Sequence, residues 1–207
     1  MASQSLDDLL REELRDLLDG ETQIVKALPR LAKAVDSEPL RQSLQMHLQQ
    51  TQEQIERLNQ AFELLDERPR RKTCQGIKGL IDEAREMMGE LDRGPVLDAA
   101  LIGAQQKVEH YEIAAYGTAR TFATRLGNDE LASLLEETLE EEKATDQKLT
   151  ELAESMVNVE AAGEDGDEGA PASRGSRSRN TGGRRGGAAT RGGSNRSRAG
   201  AKSSRKK

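Results

Sequence analysis

The residues of this chain able to do chemistry are mostly acids that stand where a helix face should be apolar. At the alternating 3- and 4-residue spacing of one helix face, positions 10, 14, 17, 21, 24, 28, 31 and 35 are all aliphatic except Glu21. The register 101, 105, 108, 112, 115, 119, 122 is interrupted by Gln105 and Glu112, with Glu109 on its flank one turn earlier. A third register, 131, 135, 138, 142, 145, 149, 152, is interrupted by Thr138, Glu142 and Thr145, with Asp146 one turn after Glu142. Each glutamate falls near the middle of its helix, so three helices should present carboxylates to a common level. An uncompensated carboxylate in an apolar core costs several kcal/mol, and only protons, cationic partners or metal ions offset that. Facing carboxylates in a helical bundle are the arrangement that holds paired iron or manganese ions. Glu21, Glu109, Glu112, Glu142 and Asp146 are therefore the candidate metal ligands. A buried polar network without metal is the competing reading.

Other groups can join this level. His47 lies beside a fourth stripe and offers a ring nitrogen, whereas His110 lies off its stripe and should be exposed or outside the ligand shell. Glu21 to Gln50 spans 29 residues and Glu112 to Glu142 spans 30, so the first half of the chain superposes on the second with an offset of about 91. In that alignment Gln50 and Gln54 take the places of Glu142 and Asp146, which leaves the second half better equipped for metal. Tyr111 and Tyr116 flank the acids and can pack or donate to a carboxylate. Cys74, Met87 and Met88 suit apolar filling. No Ser-His-Asp set, phosphate-binding loop or dinucleotide glycine pattern is present.

Four long helices must position these groups. The first is predicted from about Ser5 to Val35, with Asp7 and Asp8 at its positive end and a kink or short break at Pro29. The second should begin near Ser37 and carry Leu44, Leu48, Thr51, Ile55, Leu58, Phe62 and Leu65 to a stop at Arg68-Pro69. A short helix from Thr73 to Leu91 should cover one end of the core, and Gly94-Pro95 closes it. The third long helix runs from about Pro95 to Leu126 with Gly127 as its stop, and the fourth, capped by Asn128 or Asp129, reaches about Met156. Rods of this length, about 45 Å at 1.5 Å per residue, hide their stripes best in an antiparallel four-helix bundle. The linker between the second and third long helices can cross the whole bundle, so a ferritin-type crossover is open to the chain.

Charge divides the chain. Of its 207 residues 33% are charged and 2% aromatic, with no Trp, which excludes a large β-sandwich or barrel. Residues 1–169 carry a net charge of −18, while residues 170–207 hold 12 Lys and Arg and no acid. The bundle is expected over 1–159, followed by an acidic linker at 160–169 and a basic tail. The tail's Arg, Gly and Ser composition cannot bury enough apolar surface to offset chain entropy, so 160–207 is predicted to be disordered. Guanidinium groups on such a segment bind phosphates by counterion release without reading sequence. Arg174, Arg177, Arg179, Arg184, Arg185, Arg191, Arg196 and Arg198 are the candidate nucleic-acid contacts. A single cysteine, a polar and acidic start, and no apolar run of the roughly 18 residues needed to span a bilayer predict a cytoplasmic protein without a membrane partner.

The segments LREELRDLLDGETQIVKALPRLA at 10–32, HLQQTQEQIERL at 47–58, AALIGAQQKVEHYEIAAYGTARTFATRLG at 99–127 and LLEETLEEEKATDQKL at 134–149 resemble the YciF-like family of ferritin-like proteins. QKVEHYEIAAYG is the most specific of them, and the likeness runs from Leu6 to about Ala153. The resemblance implies a ferritin-like bundle that dimerises, a dimetal centre and a stress-associated role. It places Glu21, Glu109, Glu112, Glu142 and Asp146 on matching positions. The departure is in the second long helix, where Gln50 and Gln54 replace the Glu, and often His, of the family pattern; a neutral amide is a poor substitute for an anionic bridging ligand. With metal, the expected chemistry is Fe(II) oxidation or peroxide consumption. Without it, the chain is a non-enzymatic dimeric scaffold held on nucleic acid by its tail.

Overall fold

The computed structural model describes residues 5–163. The basic segment 170–207, and with it every tail arginine named above, lies outside the described residues. Their regular elements are all helices: α1 (Leu6–Ala34), α2 (Glu38–Leu64), α3 (Gln75–Glu90), α4 (Pro95–Arg125) and α5 (Asp129–Leu152), after which a π-helical turn (Ala153–Val157) and α6 (Asn158–Ala161) extend the last rod.

Local signals account for the helix ends. Ser5 accepts from Asp8 N at 3.0 Å at the start of α1, and Asn128 accepts from Leu131 N at 3.1 Å at the start of α5. Gly127 stops α4 at φ +75°, a conformation open to glycine at little cost. The α1–α2 turn is fixed from a distance by Asp98, which is buried and accepts from Asp36 N at 3.0 Å and Ser37 N at 2.7 Å.

Two boundaries differ from expectation. α1 passes Pro29 without a break, with the ring on an exposed face of the helix. α2 ends at Leu64, four residues before Arg68, because Asp66 turns left-handed at φ 51° and Glu67 N folds back onto Phe62 O at 2.9 Å. That turn delivers Glu67 to Arg11 at 2.8 Å and Arg15 at 3.1 Å, tying the end of α2 to α1.

The side-chain contacts fix the topology. α1 and α4 are antiparallel, since Asp36 meets Asp98 near one end and Glu21 meets Tyr116 further along. α2 and α5 are antiparallel too, with Met46 beside Lys148 and Arg57 beside Thr138. Short turns make α1–α2 and α4–α5 antiparallel, so α2 and α4 run the same way and residues 65–94 must return the chain along the bundle. α3 makes that return along the side of α1 and α4, rather than over one end of the core. It packs closely there: the Tyr111 ring lies where a Cβ on Gly76 would stand, 2.4 Å away.

The apolar core is in two parts. One holds Ile24, Leu28, Leu31, Leu40, Leu44, Ile81, Leu101 and Leu149, and the other Leu10, Leu14, Leu58, Phe62, Leu131 and Leu135. Burying each such side chain is worth about 1.5–3 kcal/mol, enough to hold a less favourable layer between them. That layer is polar.

Candidate metal centre

The polar layer is built by the spacing that builds the core. Positions 105, 109, 112 and 116 of α4 and positions 138, 142 and 145 of α5 repeat the 3- and 4-residue step, as do 47, 51 and 54 of α2. All of these residues, with Glu21 of α1, are buried. Among the described residues His47, Glu109, Glu112 and Glu142 each bring one ligand atom into a group whose members lie within 4.8 Å of one another.

A frame of neutral donors orients them. Gln105 Nε2 donates to Glu109 Oε1 at 2.7 Å and lies 3.1 Å from His47 Nδ1. His47 Nδ1 is also 3.4 Å from Glu109 Oε1, and its Nε2 points toward Glu142 Oε2 at 4.0 Å. Gln54 Nε2 donates to Glu142 Oε1 at 2.5 Å, and the Tyr116 hydroxyl donates to Glu21 Oε1 at 2.5 Å. Glu112 lies beside Glu21, and Glu109 beside Glu142, so that like-charged groups face one another. Two carboxylates cannot share such a contact unless a proton or a cation lies between them.

Electrostatics follow from this enclosure. Burial pushes Glu21 up to about 8, reinforced by the charge of Glu142 and opposed by the Tyr116 donor. Burial pushes Glu109 to about 7, and raises Glu112 and Glu142 well above the ordinary carboxyl range with the help of their acidic neighbours. His47 is driven down to about 4 by burial, so the imidazole is neutral at pH 7 and its nitrogen is free to act as a ligand.

The unpaired atoms test whether a metal fits. Glu21 Oε2, His47 Nε2, Gln54 Oε1, Glu109 Oε2, both oxygens of Glu112 and Glu142 Oε2 are buried without a hydrogen-bond partner. Buried polar atoms are rarely left so, and an ion is one of the few things that satisfies several at once. Carboxylate oxygens with one imidazole are a donor set suited to iron or manganese. The residues present fit such an ion.

Of the residues expected from sequence, Glu109, Glu112 and Glu142 meet here with His47, and Glu21 joins through Glu112. Gln54 is present as a donor. Asp146 stands aside: its carboxylate is part-exposed and held by Gln106 Nε2 at 3.1 Å and His110 Nε2 at 3.3 Å. Gln50 is half-buried on the outer α2–α5 groove beside Thr145. The internal symmetry explains its absence. An offset of 91 taken strictly sets Glu142 against Thr51 and Thr145 against Gln54, both buried, one residue from the match that selected Gln50. Di-iron bundles place a Glu-x-x-His pair on each of two helices. Here α5 has Glu142-x-x-Thr145 and α2 has Thr51-x-x-Gln54, so neither keeps the histidine and one lacks the glutamate. Glu109 and His47 supply donors one turn away instead, which makes the site asymmetric.

Tyr111 points away, donating to Asp16 Oδ2 at 2.8 Å, with the Cys74 thiol 3.3 Å from its hydroxyl. Cys74 is thus a buried hydrogen-bonding group as well as filler. Sequence reasoning passed over Arg57 and Glu141, which border the site between α2 and α5; a lone arginine beside a stripe gave no signal of its own.

Comparison with known proteins agrees with this architecture. Residues 5–162 match a family model described as a domain of unknown function, DUF892. Protein YciF of Escherichia coli K12 is 46% identical over 162 residues, covering 78% of this chain and 98% of its own length. The crystal structure of the E. coli stress protein YciF superposes with a TM-score of 0.73 over 75% of this chain and 99% of that one. YcfI of Rhodopseudomonas palustris, also 46% identical, superposes with a TM-score of 0.70 over 71% of this chain and 94% of that one. The described helices thus form a YciF-like bundle, and this chain belongs to the DUF892 family.

Proposed function

We propose that the polar layer is a carboxylate-rich site for iron or manganese in a stress-associated protein, and that the basic tail attaches this bundle to nucleic acid. The observation that carries the first part is the convergence of His47, Glu109, Glu112 and Glu142, whose buried atoms include several without a hydrogen-bond partner. Those four residues would hold one ion. Glu21, paired with Glu112, is available to a second. A bound iron would supply a redox couple and open positions for oxygen or peroxide. The chain's own contribution is to keep His47 neutral, to orient Glu109 and Glu142 through Gln105 and Gln54, and to keep bulk water out between two apolar layers.

Anaerobic incubation of metal-free protein with Fe(II) or Mn(II), removal of free ion and elemental analysis should find about one ion per chain, as for a preformed site with deprotonated ligands. Glu142→Ala should abolish uptake and Glu21→Ala should weaken it. Protein that takes up neither metal, and is unchanged by Glu21→Ala, is instead a non-enzymatic dimeric scaffold.

Support for the tail reading is charge: +12 over 38 residues, against −18 over the rest. Binding of a random-sequence DNA or RNA oligomer should fall steeply with salt, with a log–log slope of roughly −0.7 to −0.9 per phosphate neutralised. Removal of residues 170–207 should abolish this salt-sensitive binding, and unchanged binding would contradict the proposal.

A further inference from the structure

A ligand site sealed between two apolar layers needs a route by which a hydrated cation reaches it, and the α2–α5 seam carries a graded series of acids. Glu137 is 62% exposed, Glu141 is 26% exposed and Glu142 is fully buried, so three carboxylates lead from solvent to the centre. Gln54 joins the last two: its Nε2 donates at 3.1 Å to Glu141 Oε2 and at 2.5 Å to Glu142 Oε1. Arg57 closes the outer side. Its two terminal nitrogens grip Glu141, one also donates to Thr138 Oγ1 at 2.8 Å, and its Nε lies 3.6 Å from Glu137.

Two further observations point to a cation. Gln54 is 1% exposed, yet its Oε1 is buried with no partner, as is Glu142 Oε2. A side-chain amide between two carboxylates presents its NH2 group to them. With a cation at the same place, rotation of the amide by half a turn presents the oxygen instead, a group hard cations accept as a ligand. Arg57 is the resident positive charge at the rim. A divalent ion arriving at Glu141 offers that carboxylate a more concentrated charge than guanidinium does.

We propose that Arg57, Glu141 and Gln54 form a cation-entry gate: Glu141 captures a divalent ion in exchange for Arg57, and the Gln54 amide passes it inward to Glu142. The gate rests on the metal reading above, and it predicts rates where that reading predicts equilibrium. No covalent or redox step is involved.

The test is stopped-flow uptake of Co(II) by the full-length metal-free chain, followed by the visible absorption of the ion once imidazole and carboxylates coordinate it. Glu141→Gln keeps the size of the side chain and removes the charge. It should slow uptake about tenfold at low ionic strength, as expected for loss of a steering charge, while the final stoichiometry and affinity stay within twofold of wild type. Arg57→Gln should accelerate uptake. Glu53→Gln, on the neighbouring surface groove, is the control and should leave the rate unchanged. Equal rates for Glu141→Gln and wild type, or equal slowing by Glu53→Gln, would overturn the gate while leaving the centre in place. A wild-type chain that binds no Co(II) overturns both. An affinity loss in Glu141→Gln that matches its rate loss would make Glu141 a ligand of the centre and also end the gate.

Discussion

Metal-free protein should melt at a lower temperature as pH is raised from about 5 to about 8, by roughly 10 °C, the shift expected for a few kcal/mol in a domain of this size. Carboxyl groups with an ordinary value of 4.5 are raised on folding, Glu109 to about 7, Glu21 to about 8, and Glu112 and Glu142 well upward. Between 4.5 and those values the native state holds protons that the unfolded chain has released, so each rise in pH favours unfolding. Below 4.5 both states are protonated and the penalty vanishes. His47 acts in the opposite direction. Its value is lowered from 6.5 to about 4, so it adds stability as pH rises through that window, one group against four. With four groups against one, the slope is negative from about 4.5 upward, so stability from this layer should be greatest at or below pH 5 and fall toward neutrality.

Metal should reverse the slope. Ligands bind an ion in their deprotonated form, so ion binding strengthens over the same range in which the empty site becomes more costly. At a free concentration about a hundredfold above Kd, an ion adds about 2.7 kcal/mol. Differential scanning calorimetry across the pH series, with chelator and with saturating Mn(II), measures both curves. A flat chelator curve would show that the buried acids are relieved by some group other than protons, and the account of the polar layer would fail.

The helices and the acids were legible in the sequence for one reason: both are written in the same 3- and 4-residue step. Glu21, Glu112 and Glu142 stood out because they occupy positions otherwise given to leucine and isoleucine, and their placement at mid-helix was enough to set them at one level. Position along a rod is readable in this way, but rotation about it is less so. Asp146 is four residues from Glu142, and the 40° that four residues add to a full turn is enough to move it from the interior to the α4 edge, where Gln106 and His110 hold it. Gln50 differs from the buried Thr51 by a single step of 100°. The halves of the chain can be aligned by pattern to within a residue, and one residue decides which side chain faces in. Arg57 and Glu141 were illegible for another reason. Their role depends on a contact between α2 and α5 across 84 positions of sequence, and nothing in either helix alone marks it.

Glu112→Leu should raise the melting temperature of the metal-free protein at pH 8 and abolish metal uptake. Neither oxygen of Glu112 has a hydrogen-bond donor, and the side chain is 1% exposed. It also faces Glu21, Glu109 and Glu142, so its ionised form meets three like charges. Leucine is of similar volume and continues the apolar stripe of Val108, Ala115 and Ala119 on the same helix. Replacing buried charge by a well-packed apolar side chain commonly stabilises by about 1–4 kcal/mol, here equivalent to several degrees. The substitution should also flatten the pH dependence, because Glu21 loses its paired carboxyl and keeps the Tyr116 donor. Glu112→Gln separates charge from shape: it should relieve the repulsion while leaving amide groups with the same want of partners, and so stabilise less than leucine. A glutamate retained for structure would behave in the opposite way, with Glu112→Leu lowering the melting temperature at every pH. Greater stability gained only by losing the ion is the behaviour expected of a residue placed in the core for what it binds.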